Sequence, residues 1–421
     1  MANTGSIPVV RNAAAHLPPE LLGWHPDVLP GFERLTLPLE PDDEGEVVAT
    51  LVRRAKAKPG LGVDVLYLHG WTDYFHQVHL AEFFENLGCT FYALDLRKYG
   101  RSLRPWQTPG FITSLRTYAS DINAALTQMG HQVHTHIEHD DAGLFAPNPT
   151  SAEPEKPPKR TLVLMGHSTG GLIVSLYAVG HPGVVDALIL NSPWLEFQTG
   201  AIGRRALEGP IRAQALIAPM SGLVKPDAGY YVRSVSSKYE GEWPLIEEWR
   251  PDEGWKPTAA WLNAIFRGQE RVAQGLDLKI PVLVLLSAKS TVPTRWKPEL
   301  KRADAVLTVA EVAQRSPSLA QTVTTVRLDG AMHDVTLSTA SVRTVLWEEM
   351  TRWVRAYVPV PTPALDATEP SGGAQPIASS EVVLTDGETS ASEDEAISTR
   401  FWEAFGRAAR RTRPNEPWRS D

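Results

Sequence analysis

The chain has 421 residues, 43% hydrophobic and 21% charged, which suits a globular protein with a large core, built either as one domain with an insertion or as two domains. Its formal net charge of −8, with no concentrated basic run in the middle of the chain, excludes nucleic acid as the main partner. The single cysteine, Cys89, excludes an intrachain disulfide framework and reads as a buried small hydrophobe. No stretch reaches the ~18 continuous apolar residues of an integral membrane span. The start Met1-Ala2-Asn3-Thr4-Gly5-Ser6 carries no secretory pattern, so the expected compartment is the cytoplasm.

Residues 1–30 are Pro-rich and read as an N-terminal arm. Phe32–Leu39 and Glu46–Arg53, separated by the acidic turn Pro41-Asp42-Asp43-Glu44-Gly45, predict an antiparallel hairpin. The pattern then changes to short apolar runs alternating with helical stretches. The runs are Val63–Leu68, Thr90–Leu94, Thr161–Met165, Ala187–Leu190, Pro281–Leu286 and Thr322–Leu328, and the helices fall around His79–Leu87, Tyr118–Met129, Leu172–Ala178 and Ser338–Tyr357. This alternation predicts an α/β fold, a mostly parallel central sheet covered by helices on both faces. Such sheets gather catalytic groups at the carboxyl ends of their strands. The domain plan is a first core segment at 31–192 with a polar insertion at 131–160, a lid or cap insertion at 193–278, a second core segment at 279–358, and a low-complexity tail at 359–421. The composition of the tail predicts disorder, with a candidate short basic amphipathic helix at 399–412.

Directly after the run Thr161–Met165 comes Gly166-His167-Ser168-Thr169-Gly170, followed by a helical stretch. Strand, Gly-x-Ser-x-Gly turn and helix together predict a nucleophile elbow, in which small residues let the chain double back and leave the Ser168 hydroxyl clear of the sheet. A serine hydroxyl needs a general base and a carboxylate to orient that base. In the elbow architecture the chain order is serine, acid, histidine. Of the 12 histidines only His181 and His333 follow Ser168. His181 ends the elbow helix, too near in sequence and on the wrong side of the sheet. His333 sits in the loop after the last apolar run, where the base belongs.

The acid is displaced. The loop after Pro281–Leu286 begins Ser287-Ala288-Lys289-Ser290-Thr291-Val292 and has no carboxylate in the usual place. Asp304, 29 residues before the base (333 − 304), is followed by a small apolar pair and a predicted helix, and is taken as the acid, with residues 287–303 lengthening the loop. Glu299 stands second and Asp334 third, since a residue next to the base points away from it. For the oxyanion hole the expected donors are the N–H groups of Thr169, at the start of the elbow helix, and Trp71, in the loop His69-Gly70-Trp71-Thr72-Asp73.

These motifs, together with Asp95-Leu96-Arg97-Lys98-Tyr99-Gly100-Arg101-Ser102 and Gly330-Ala331-Met332-His333, make the chain resemble an α/β-hydrolase of the monoacylglycerol lipase and lysophospholipase group, grouped with the serine aminopeptidases, over residues ~30–357. The resemblance implies hydrolysis of carboxylic esters, with acylglycerols or related lipids as frequent substrates. It departs from the group in the displaced acid and in the 131–160 insertion.

The expected function is therefore a serine carboxylic-ester hydrolase acting through an acyl-enzyme on a small-molecule ester, lipid-like or otherwise hydrophobic, with no cofactor and no metal. The alternatives are a peptidase, lactonase or acyltransferase using the same triad, or a non-catalytic binding protein. A dehalogenase or epoxide hydrolase would carry Asp in place of Ser168. Glu240, Glu242, Glu247 and Glu248 keep an aminopeptidase in view, as groups that would hold a free amine. His131, His134, His136 and His139 read as a solvated loop rather than a metal site. Asp95, Arg101 and Ser102 read as structural. The aromatic residues Trp194, Tyr230, Tyr231, Trp243, Trp249, Trp255 and Trp261 crowd the 193–278 insertion, either as its own small core or as the lining of an acyl pocket.

Overall fold

The structure is a computed structural model that describes residues 23–56, 60–133, 160–198, 200–223 and 229–361. The outer part of the 131–160 insertion and the tail with its candidate 399–412 helix lie outside the described residues. The predicted hairpin forms as β2 (Phe32–Asp42) and β3 (Gly45–Arg54), and a short edge strand β1 (Trp24–Pro26), inside the stretch read as an arm, pairs antiparallel with β2. The apolar runs become β4 (Val63–Leu68), β5 (Thr90–Asp95), β6 (Thr161–His167), β7 (Ala187–Asn191), β8 (Val282–Ser287) and β9 (Val323–Leu328). The nine strands form one sheet in the order β1-β2-β3-β5-β4-β6-β7-β8-β9, parallel from β5 onward.

Strands that read as continuously apolar still sort by pleat. In β4, Leu66 and Leu68 enter one core and Val63, Val65 and Tyr67 the other; in β6, Leu162 and Leu164 oppose Val163 and Met165 in the same way. The first core is covered by α2 (Tyr118–Gln128) and α3 (Thr169–Gly180), and the second by α1 (Val78–Asn86) and α8 (Ala340–Tyr357). Burial of both faces explains why no polar alternation marks these strands.

Between β7 and β8 the chain forms α4 (Gly200–Ile217), α5 (Tyr230–Val235) and α6 (Ala259–Ala273). α6 packs its buried face against α3 and the first core. A further helix, α7 (Val309–Arg315), precedes β9. No described helix is long and apolar enough to cross a membrane.

Candidate active site

At the carboxyl end of β6 the chain reverses into α3 through Ser168, whose φ of 53° and ψ of −116° lie in a region L-residues rarely occupy. The flanking glycines are required by contact. A Cβ on Gly166 would stand 2.4 Å from the Gly170 carbonyl oxygen, and one on Gly170 would stand 2.5 Å from the carbonyl oxygens of Leu68 and His69. The elbow is thereby pressed against the end of β4 and the His69-Gly70 turn. A Cβ on Gly70 would meet the Ser168 Cβ at 3.1 Å, which sets this loop directly beside the serine.

His69, buried at the end of β4, donates from Nδ1 to the Gly70 carbonyl at 2.8 Å and accepts from the Leu96 N–H on Nε2 at 3.1 Å, tying the turn to the end of β5. The Thr169 N–H opens α3 and the Trp71 N–H follows the turn; among the described residues neither donates a backbone hydrogen bond. Asp95 ties the next turn together, accepting from the Phe75 and Arg101 N–H groups and from the Arg101 guanidinium, while Ser102 bonds the Asp95 carbonyl.

His333 follows β9 and its turn at Gly330 (φ 73°). Its Nδ1 donates to Asp304 Oδ2 at 2.9 Å, and both side chains are buried. The imidazole stands 4.8 Å, centroid to centroid, from the ring of His167, the residue before Ser168. The structure also accounts for how Asp304, so far along the chain from β8, comes to lie beside His333. After β8 the chain makes an excursion through residues 291–303 and is pinched at its base, where the Thr291 N–H donates to the Asp304 carbonyl and the Asp304 N–H to the Lys289 carbonyl, each at 2.8 Å. The pinch returns Asp304 to the strand end. There Asp304 Oδ1 accepts from the Val306 and Leu307 N–H groups, leaving Oδ2 for the imidazole. Glu299 lies exposed on the excursion. Asp334 points away from the imidazole and accepts from Asn191 Nδ2 at 2.7 Å, Gln77 Nε2 at 3.1 Å and Thr336.

Several contacts that sequence reasoning missed hold the site together. Asn191, at the end of β7, accepts the Ser168 N–H on its carbonyl and binds both Asp334 and the Val335 N–H through its side chain, so it joins the elbow to the His333 loop. The only hint in the sequence is a polar residue closing an apolar strand. Tyr231 of α5 sits edge-on to His333 with ring centroids 5.4 Å apart, and its hydroxyl accepts from the Asp334 N–H. Asp73 pairs with Arg250 at 2.7 Å; burial is the largest influence on its carboxyl and works to raise it, but Arg250, His76 and His167 together outweigh burial and hold the group below the usual carboxylate range. Burial pushes the His167 imidazole down to about 4, partly opposed by Asp334.

Trp71, Trp194, Trp255 and Trp261 gather beside the elbow, with Trp71 and Trp261 rings 3.9 Å apart and the Trp194 N–H donating to the Ser168 carbonyl. A cavity of about 540 Å³ between α2, α3 and α6 lies elsewhere and touches none of Ser168, His333 and Asp304. His131 bonds Asp64, which Arg160 also pairs, while His134, His136 and His139 lie outside the described residues.

A family model described as serine aminopeptidase, S33, matches residues 63–337, more than half of the chain. The chain belongs to this family. It is an α/β-hydrolase, and the sheet order and elbow are those of the fold. The S33 chain is similar to the monoacylglycerol lipase of Paleococcus ferrophilus (16% identity, 74% of this chain and 99% of that one, TM-score 0.50). It is similar to a soluble variant of the Saccharomyces cerevisiae monoglyceride lipase (14%, 77% and 96%, TM-score 0.51), and to DcsB (17%, 78% and 100%, TM-score 0.50), both solved with substrate analogues. At such identities the likeness is one of fold. No curated protein matches the sequence.

Proposed function

We propose that this S33-family protein is a serine hydrolase that cleaves carboxylic esters of hydrophobic, lipid-like character through an acyl-enzyme. In this reading Ser168 attacks the ester carbonyl and His333 takes its proton. Asp304 orients the imidazole and stabilises the imidazolium that forms. The Trp71 and Thr169 N–H groups hold the tetrahedral oxyanion. His333 then protonates the leaving alcohol, and water activated by the same base releases the acid.

The observation that carries this reading is the buried 2.9 Å bond from His333 Nδ1 to Asp304, with the His333 ring 4.8 Å from that of His167, the residue that precedes the elbow serine. The tryptophans beside the elbow favour an apolar acyl or aromatic group. The glutamates that kept an aminopeptidase in view favour esters instead. Glu240, Glu242 and Glu247 form ion pairs at the protein surface with Arg233, Arg343 and Lys238, and Glu248 is exposed. The substrates would be small molecules.

Comparing a chain-length series of p-nitrophenyl esters with aminoacyl anilides tests the reading. The expected result is turnover of the esters, with a preference for longer or aromatic acyl groups, and anilide cleavage lower by at least ~10²-fold. Anilide cleavage equal to or faster than ester cleavage contradicts it.

A further inference from the structure

Four consecutive residues after the His69-Gly70 turn are each gripped by one stretch of the helical insertion. The Trp71 ring packs on Trp261 and meets Trp255 edge-on at 6.3 Å. Thr72 Oγ1 accepts from the Trp255 N–H at 3.3 Å. Asp73 Oδ1 accepts from Arg250 Nη1 at 2.7 Å. The Tyr74 hydroxyl accepts from the Ile246 N–H at 2.9 Å. Residues 246–261 thus engage a ring, a hydroxyl, a carboxylate and a phenol in turn.

The loop needs such a grip. Thr72 has a φ of 52°, a conformation that a β-branched residue keeps only where its surroundings hold it. The Asp73–Arg250 pair is the charged one of the four holds, with its hydrogen bond at 2.7 Å. Arg250 is 4% exposed and Asp73 2%, so water screens the pair little. The same Nη1 also lies 3.3 Å from His76 Nε2, which fixes the guanidinium from a second side. The bonds of the Asp73 carboxylate therefore set the backbone two residues beyond Trp71.

We propose that Arg250 is a positioning residue for the oxyanion hole: by clamping Asp73 it fixes the direction of the Trp71 N–H, so that the hole is complete only while the 246–261 segment of the insertion is seated. The proposal rests on the assignment of Trp71 as an oxyanion donor made above. Arg250 acts through the loop and need not touch the ester. Because a donor must be aimed at the place where negative charge develops, loss of the clamp weakens transition-state binding and leaves ground-state binding in place.

The test uses the full chain with a p-nitrophenyl ester and two inhibitors of matched acyl group, a trifluoromethyl ketone that forms a tetrahedral oxyanion on the serine and an ether that cannot. Arg250→Ala is expected to lower kcat ~10–100-fold, with KM within about threefold, and to weaken the ketone by a similar factor while leaving the ether unaffected. Asp73→Asn gives the same pattern, and the double variant is no worse than the worse single one. Added guanidinium ion restores part of the activity of Arg250→Ala and none to Asp73→Asn. Should Arg250→Ala not fold, Tyr74→Phe, which removes one hold and keeps the ring, is expected to lower kcat and ketone affinity together about threefold or more.

Turnover of folded Arg250→Ala within twofold of wild type overturns the proposal, and so does an equal loss of affinity for ketone and ether. If Arg250→Ala does not fold, unaltered kcat and ketone affinity in Tyr74→Phe overturn it. Wild-type protein that neither hydrolyses esters nor reacts with a fluorophosphonate overturns the hydrolase reading, and the proposal falls with it. An active wild type beside an unaffected Arg250→Ala overturns the proposal alone.

Discussion

Ser168 occupies a backbone conformation that costs on the order of 1–3 kcal/mol, and it persists because Gly166 and Gly170 allow close contact with neighbouring backbone on either side. Replacing Ser168 with Ala keeps a Cβ and leaves those contacts unaltered. Ser168→Ala is therefore expected to reduce turnover by at least ~10³-fold while shifting unfolding stability by no more than about 1 kcal/mol, as read by ester kinetics and denaturant unfolding. Gly170→Ala places a methyl 2.5 Å from two carbonyl oxygens and forces the elbow away from the His69-Gly70 turn. It is expected to lose both activity and stability, the latter by ~2 kcal/mol or more. For the proposed acid, Asp304→Asn is expected to lower kcat by ~10²–10⁴-fold and Glu299→Gln to leave it within twofold, measured side by side on one ester.

The elements reach the site through the ends of their strands. β4 brings the His69-Gly70 turn, β6 the serine, β7 Asn191, β8 the excursion that returns Asp304, and β9 the His333 loop. Removing the Asn191 amide leaves Asp334 and the Val335 N–H each short of a buried partner. Asn191→Ala is expected to cost ~1–3 kcal/mol in urea unfolding and to lower turnover as well, because it loosens the elbow and the His333 loop together.

Ser168, His333 and Asp304 were legible as candidates because the motifs fix a chain order, and Asp304 because a carboxylate ahead of a helix fits the acid even after a lengthened loop. Asn191, Tyr231 and the Asp73–Arg250 pair were not legible. Their partners lie 143 residues away for Asn191 and Asp334, and 177 for Asp73 and Arg250, and no local pattern announces a contact across that span. The face of the sheet that each residue of β4 or β6 supplies was hidden for a different reason, since both faces are buried and the strands carry no alternation.

Across the whole molecule, buried ionisable groups give a definite acid response. Burial lowers the His79 imidazole to about 3 and that of His167 to about 4, so both stay neutral in the folded chain. Once unfolded, each titrates near 6.5, and below that pH the unfolded chain takes up protons that the native chain refuses. This part of the stability is complete above pH 6.5 and falls as pH drops toward 4, by about 1.4 kcal/mol per pH unit per histidine. Asp73 and Asp334, held below the usual carboxylate range, withdraw their contribution at more acid pH still. Urea unfolding between pH 7 and 4 is expected to show this decline, and His79→Gln, which keeps a donor for the Thr336 carbonyl, to make it shallower by about one proton.

The sheet, with its antiparallel start and parallel remainder, was legible in the order of apolar runs and helices. The edge strand β1 was not, because three residues are too few to show a period.

The most direct measurement is the intact mass and mapped adduct of the folded full-length chain after reaction with a fluorophosphonate. One adduct on Ser168 is expected, formed at least ~10²-fold more slowly in His333→Ala and absent in Ser168→Ala. A folded wild-type chain that takes up no adduct, or takes it up at another residue, contradicts the assignment of Ser168 as the nucleophile of this fold.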